Sequence, residues 1–270
     1  MRALFLLPLV LLAACEAPTT QRPGYSDSEL KAEQQAQSAA VKAAQAGDFN
    51  DQKDYTQDEL KGLTARLDPI AGKVEAASQS LCHDMGGKQC SFEVVLDTSE
   101  KGLNAHADGQ RVVVYPAMVD FATNDNQLAF VIAHEFAHSI MGHVAAQQKN
   151  VALGGILGTL GDALAGSQGY STQGALGKIG AQQALLRYSP EFENEADYVG
   201  LYILARAGYD ITQAPEFWRL MSIKTPNAIY RTTTHPTNPA RTLSMQKTIA
   251  EIQGKMAAHQ PLLPNIKARR

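Results

Sequence analysis

Residues 134–143 read HEFAHSIMGH, which places three histidines and a glutamate within ten positions of an otherwise apolar run. The run lies inside NDNQLAFVIAHEFAHSIMGHVAAQQ, which has a capping signal at Asn124 or Asp125 and no glycine or proline before Gly142. This predicts a central helix, apolar on nearly all sides and therefore buried. His134 and His138 are four apart, so their imidazoles stand on one face a turn apart, with Glu135 beside them. Burying two histidines and an ionised glutamate without a partner is costly, whereas the pair can fill two tetrahedral positions on Zn²⁺. At average residue frequencies H-E-x-x-H arises by chance in roughly one chain in a hundred of this length. Satisfied core histidines are the remaining alternative.

A catalytic zinc needs a third protein ligand. The metzincin spacing fails, because Met141 and Val144 stand where a glycine and a histidine are required. On a continuous helix His143 lies about 140° around from His138, which makes it a hydrogen-bonding or core residue rather than a ligand. The better candidate is in SPEFENEADYVGLYILARAGYD, residues 189–210. Ser189 is an N-cap, Pro190 occupies the first helical position and Gly208 follows the last turn, so a helix over about 190–207 is specified at both ends. Glu193 and Asp197 share one face of it. Glu193 can supply the third ligand, and Asp197 can accept the distal N–H of a ligating histidine and fix its tautomer. Glu191 and Glu195 read as a solvated acidic face.

Composition narrows the function classes. The 270 residues are 44% hydrophobic, enough for one substantial core, and the net charge of −3 argues against nucleic-acid binding. The opening MRALFLLPLVLLAAC has one positive charge, an apolar run too short to span a bilayer, and small residues before Cys15. Leu12-Ala13-Ala14-Cys15 resembles the bacterial lipobox, which implies a lipoprotein signal peptide over 1–14 and a diacylglyceryl anchor on Cys15. Glu16 favours an outer-membrane lipoprotein facing the periplasm. In that oxidising compartment Cys82 and Cys90, with Gly86 and Gly87 between them, favour a disulfide over a zinc pair.

Residues 15–55 read as a flexible tether followed by a solvated helix over Ser26–Ala46. The domain is expected over 56–256, with a tail over 257–270. Thr56-Gln57-Asp58-Glu59 is a capping box ahead of Leu60, Leu63 and Leu67, and Asp68-Pro69 predicts a restarted helix carrying Ile70, Val74 and Leu81. Two β-type runs follow, Ser91–Asp97 and Gln110–Tyr115, separated by turn residues including Asn104 and Gly109. The fold class is thus α+β, mainly helical, with a small sheet beside the central helix. Val112, Val113, Val114 and Tyr115 are the expected sheet edge to which an extended or unfolded protein substrate adds. The segment 151–188 holds nine of the 21 glycines, and reads as a mobile lid, a surface for membrane or misfolded chains, or a structural hairpin.

HEFAH together with Glu193-Asn194-Glu195-Ala196-Asp197 resembles the paired zinc motifs of the gluzincin family that includes HtpX, BepA and LoiP, the M48 peptidases. Leu103-Asn104-Ala105, Gly208-Tyr209, and Thr234-His235-Pro236 with Arg241 agree, and the resemblance covers about 56–255. As a lipoprotein the chain is closer to LoiP-like members than to the integral-membrane ones. His106-Ala107-Asp108-Gly109 departs from the family's apolar residue and Pro-Gly. The resemblance implies a zincin-like domain and a zinc endopeptidase, with one zinc ion on His134, His138 and Glu193 and Glu135 as general base. It also places His235 near the metal, as an oxyanion donor or a resting fourth ligand, while Arg241 reads as covering the helix surface with its stem. An outer-membrane binding or chaperone-like factor with a latent zinc site is the other reading.

Overall fold

The computed structural model describes residues 19–43, 49–168, 170–178, 188–224 and 239–267. Cys15 and His235 lie outside them. Helix α1 is Asp27–Ala43 and α2 is Gln57–Asp84, the latter opened by the predicted Thr56/Glu59 capping box. The predicted restart at Pro69 does not occur. Pro69 sits inside one continuous α2 on its exposed side, where the carbonyl it leaves without a helical donor can face water. Leu67, Ile70, Val74 and Leu81 still line the buried face.

Cys82 and Cys90 are joined by a disulfide, their Cα atoms 5.7 Å apart. Gly87 makes the turn possible, since a Cβ there would lie 2.5 Å from Cys82 Sγ and 2.9 Å from Cys90 Sγ.

The sheet has three strands: β1 (Glu93–Leu96), β2 (Ala105–Ala107) and β3 (Arg111–Val114). Their order is β1-β3-β2, with β3 parallel to β1 and antiparallel to β2. This overturns the edge expected at Val112, Val113, Val114 and Tyr115. β3 is the central strand, Val112 and Val114 are fully buried, and Tyr115 is the N-cap of a short helix α3, Pro116–Phe121. The strand that covers this edge, β2, is too short and too poor in β-branched residues to carry a strand signal in the sequence. The outer side of β1 is met by α2, whose Glu75 carboxylate accepts from Val94 N–H at 2.7 Å. Among the described residues β2 has no second partner strand.

Helix α4, Asp125–Ile140, is capped by Asn124, whose side chain accepts from Gln127 N–H. It ends at Met141. Gly142, with φ +74°, turns the chain into α5, His143–Ser167, at 62° to α4. No single described helix is long and apolar enough to cross a membrane. Within α5, Gly158 is crossed closely by the backbone of Leu176 and Gly177, and Asp162 accepts from the N–H groups of those two residues. Leu153, Ile156, Leu157, Leu160 and Leu164 of α5 stay exposed.

Helices α6 (Pro190–Arg206), α7 (Gln213–Lys224) and α8 (Pro239–Ala257) follow among the described residues. α6 lies directly on α4. Gly200 allows this approach, because a Cβ there would meet His134 N and Cα at 3.1 Å. Phe130, Phe136, Tyr198, Leu201, Tyr202 and Leu204 are each at most 1% exposed, with Phe136 against Phe92, Phe130 against Trp218, and the Tyr198 and Tyr202 hydroxyls donating to Glu251 of α8. α1, expected in solvent, instead lies against α7 and α8. Gln37 donates to Ser222 Oγ, and Glu33 and Glu29 pair with Arg219 and Lys247. The N-terminal Thr20 forms a β-bridge with Ile266 near the other end of the chain.

Candidate metal centre

α4 presents His134 and His138 toward α6, and α6 returns Glu193 to meet them. The Nε2 atoms of His134 and His138 are 3.1 Å apart. Glu193 Oε2 lies 3.5 Å from the first and Oε1 3.6 Å from the second. Three donors bonded to one Zn²⁺ at tetrahedral angles stand about 3.3 Å from each other. The cluster therefore fits a tetrahedral ion of zinc's size, and its two imidazoles and a carboxylate are donors that suit zinc. All three candidate ligands and Glu135 are at most 2% exposed.

The surrounding residues orient this set. Asp197 Oδ1 is 3.0 Å from His134 Nδ1, which leaves Nε2 facing the centre. Trp218 Nε1 donates to the same oxygen at 3.3 Å, and its ring lies edge-on to His134. Arg241 is fully buried. It donates from Nε and Nη2 to the two oxygens of Asp197 at 2.7 and 2.8 Å, and its Nη1 lies 2.7 Å from Glu193 Oε2. The expectation that Arg241 covers a helix surface is therefore wrong: its guanidinium fork holds Glu193 and Asp197 together. Its Cζ also lies over the Trp218 ring, 4.2 Å from the centroid.

The charges follow from these contacts. Burial works to raise the Asp197 carboxyl, but Arg241 and His134 outweigh it and hold the group below the usual aspartate range. Burial opposes charge on His134, yet its bonds to Asp197 and Glu193 lift its pKa from 6.5 to about 9. The Tyr188 phenol is pushed up, first by burial and then by the charges of Glu135 and Glu193. The Tyr188 ring stacks on His138 with centroids 3.9 Å apart.

His143 keeps its sequence reading by a different route, and Glu195 departs from its own. His143 does bond rather than ligate, but it does so across the break at Gly142: its Nδ1 is 3.0 Å from His138 Nδ1. Glu195 is buried rather than solvated, with Oε2 3.1 Å from His143 Nε2. Glu191 is exposed, as expected.

A match to Peptidase family M48 runs over residues 70–249 and takes in every described residue of this centre. The chain belongs to peptidase family M48. Within it, the M48 chain is 35% identical over 166 residues to the beta-barrel assembly-enhancing protease of Yersinia pestis, covering 57% of this chain and 32% of that protein. It is 28% identical over 166 residues to the mitochondrial metalloendopeptidase OMA1 of Saccharomyces cerevisiae, covering 59% and 46%. It is 29% identical over 164 residues to the human mitochondrial metalloendopeptidase OMA1, covering 54% and 30%. The M48 chain thus spans a third to a half of the length of these relatives.

Proposed function

We propose that this chain is a zinc-dependent endopeptidase of the bacterial cell envelope, tethered through a lipid on Cys15, that cuts extended or unfolded envelope proteins. The observation that carries this is the tetrahedral spacing of His134, His138 and Glu193 with Glu135 directly beside the first ligand. A structural zinc is usually closed by four protein ligands and needs no adjacent carboxylate. Zinc bound here supplies Lewis acidity, making water more acidic and polarising a peptide carbonyl. Glu135 accepts the proton from the attacking water and delivers it to the leaving amine. Asp197 and Arg241 keep His134 and Glu193 in place, so little reorganisation is needed during the reaction. The Cys15 lipobox and the relatives named as beta-barrel assembly-enhancing proteases support the envelope location.

The deciding experiment is cleavage of unfolded casein by the chain carrying Cys15→Ser, before and after chelation. Activity lost on chelation and regained with stoichiometric zinc is the expected result. Zinc bound without cleavage would leave only the binding-factor reading.

β2 is the strand to which substrate adds in this proposal. Tyr115 N–H donates to Asn104 carbonyl and Asp108 N–H to Arg111 carbonyl, so even-numbered residues of this strand bond to β3. The amides of Ala105 and Ala107 then face the open side. Ala107→Pro removes one such donor while keeping the β2–β3 ladder. The expected outcome is a roughly three- to tenfold lower kcat/KM on casein, the worth of one main-chain hydrogen bond, with zinc content and Tm nearly unchanged. Unaltered kinetics would reject β2 as the substrate edge.

Zinc uptake must displace the proton that Asp197 and Glu193 hold on His134. Apparent zinc affinity should therefore rise about tenfold per pH unit from pH 6.5 and level off near pH 9, as read by competition with a chromophoric chelator. The metal-free protein should show the opposite trend. A pKa raised by folding contributes stability that is complete below pH 6.5 and lost as pH passes 9, so its Tm should fall across that window. A zinc affinity flat with pH would contradict this picture.

A further inference from the structure

The proposed chemistry makes no use of His143 or Glu195, yet both are buried and joined in line to a metal ligand. Glu195 Oε1 accepts from Thr20 N–H at 2.7 Å and from Thr20 Oγ1 at 2.6 Å. Its Oε2 meets His143 Nε2 at 3.1 Å, and His143 Nδ1 meets His138 Nδ1 at 3.0 Å. An ionised carboxylate only accepts, so His143 Nε2 carries the hydrogen in that bond. The Nδ1 of neutral His143 is then the acceptor, and His138 Nδ1 must donate to it. That leaves the lone pair of His138 on Nε2, the atom facing His134 and Glu193.

We propose that Glu195 and His143 are positioning residues for the metal: they fix the tautomer and ring angle of His138, and Thr20 holds the far end of the relay. His134 is oriented directly by Asp197, whereas His138 is oriented by a carboxylate acting through an interposed imidazole. The relay is well supported. The His143 ring stacks on Phe192 with centroids 4.2 Å apart and planes within 10°. Thr20 is 1% exposed, in a segment held by Gln21 N–H to Asn265 carbonyl and Lys267 N–H to Thr19 carbonyl, both 2.7 Å. The N-terminal segment is thus coupled through four residues to the metal, a link that runs from Thr20 to His138.

This inference rests on the metal reading of the centre, and its test separates the two. Zinc affinity of the full chain is measured by chelator competition at fixed pH for the unmutated protein, His143→Phe, His143→Gln, Glu195→Gln and Thr20→Val. His143→Phe keeps the stack on Phe192 but removes the acceptor, and should weaken zinc by about 10- to 100-fold. His143→Gln can accept from His138 through its amide oxygen and should recover most of the affinity. A packing role would rank the two the other way, because phenylalanine fills the space better. Glu195→Gln should weaken zinc by about tenfold and Thr20→Val by a few-fold, and His143→Phe with Glu195→Gln should be no weaker than His143→Phe alone. The cobalt-substituted absorption spectrum should shift in His143→Phe and return in His143→Gln. Equal affinities for unmutated protein and His143→Phe, with the metal-free fold intact by circular dichroism, would overturn the relay and leave the metal centre standing. Failure of the unmutated protein to bind zinc, or no loss on His138→Ala, would overturn both.

Discussion

Glu135→Gln is expected to retain its zinc and to lose roughly 10²- to 10⁴-fold of its rate on unfolded casein, the range that removal of a general base produces. Glutamine matches glutamate in shape, so the packing around a side chain only 2% exposed is kept. It cannot take up a proton at the water. Glu135 is not among the three residues whose donor atoms converge, so metal content should not change. Glu193→Gln is the contrast. It weakens a ligand and leaves the Arg241 guanidinium facing a neutral amide, so it should lose zinc and activity together. The two readouts, zinc per chain and turnover, separate a base from a ligand. Full activity in Glu135→Gln would remove the glutamate from the mechanism. Loss of zinc in that variant would give it a structural role instead.

The parts of this molecule that could be read from sequence are those written in short periodicities. The four-residue spacings of His134 with His138 and of Glu193 with Asp197 each place two groups on one helical face, and the helix-bounding signals at Asn124 and Ser189 put those faces where they were expected. What escaped was set by long-range packing. Glu195 reads as part of a solvated acidic face, but its side of α6 faces Thr20 and His143 rather than water, and nothing local to ENEAD says so. His143 was excluded as a ligand by counting degrees around one helix. The left-handed Gly142 ends that helix first, and the glycine was the visible signal of the break. β3 looked like an edge because β2, with its two alanines, carries no strand signature. Arg241 and Trp218 approach the centre from helices far along the chain. No spacing rule links them to it.

Arg241→Met is the substitution expected to cost the most stability. The methionine can keep the apolar stem against Trp218, but it removes the cation that Asp197 and Glu193 share inside the protein. Breaking a buried ion pair from one side costs about 3–5 kcal/mol, because the remaining charge stays desolvated. For a domain of this size that lowers the Tm of the metal-free protein by roughly 6–20 °C. Zinc should restore part of the loss, since it returns positive charge to Glu193. The pH dependence should also change. In the unmutated protein the depressed Asp197 pKa contributes stability that is present above its ordinary value of 3.8 and is lost as pH falls through the lower folded value. Without Arg241 only His134 and Trp218 still oppose the effect of burial, so the Asp197 pKa rises and the stability gap between the variant and the unmutated protein should narrow as pH falls. Adding Asp197→Asn to Arg241→Met removes the stranded charge and should recover part of the lost Tm, although His134 then loses the carboxylate that orients it. A single variant with unchanged Tm would mean that His134 and Trp218 alone satisfy Asp197, and the guanidinium fork would have to be dropped as the device that joins the third ligand to its neighbour.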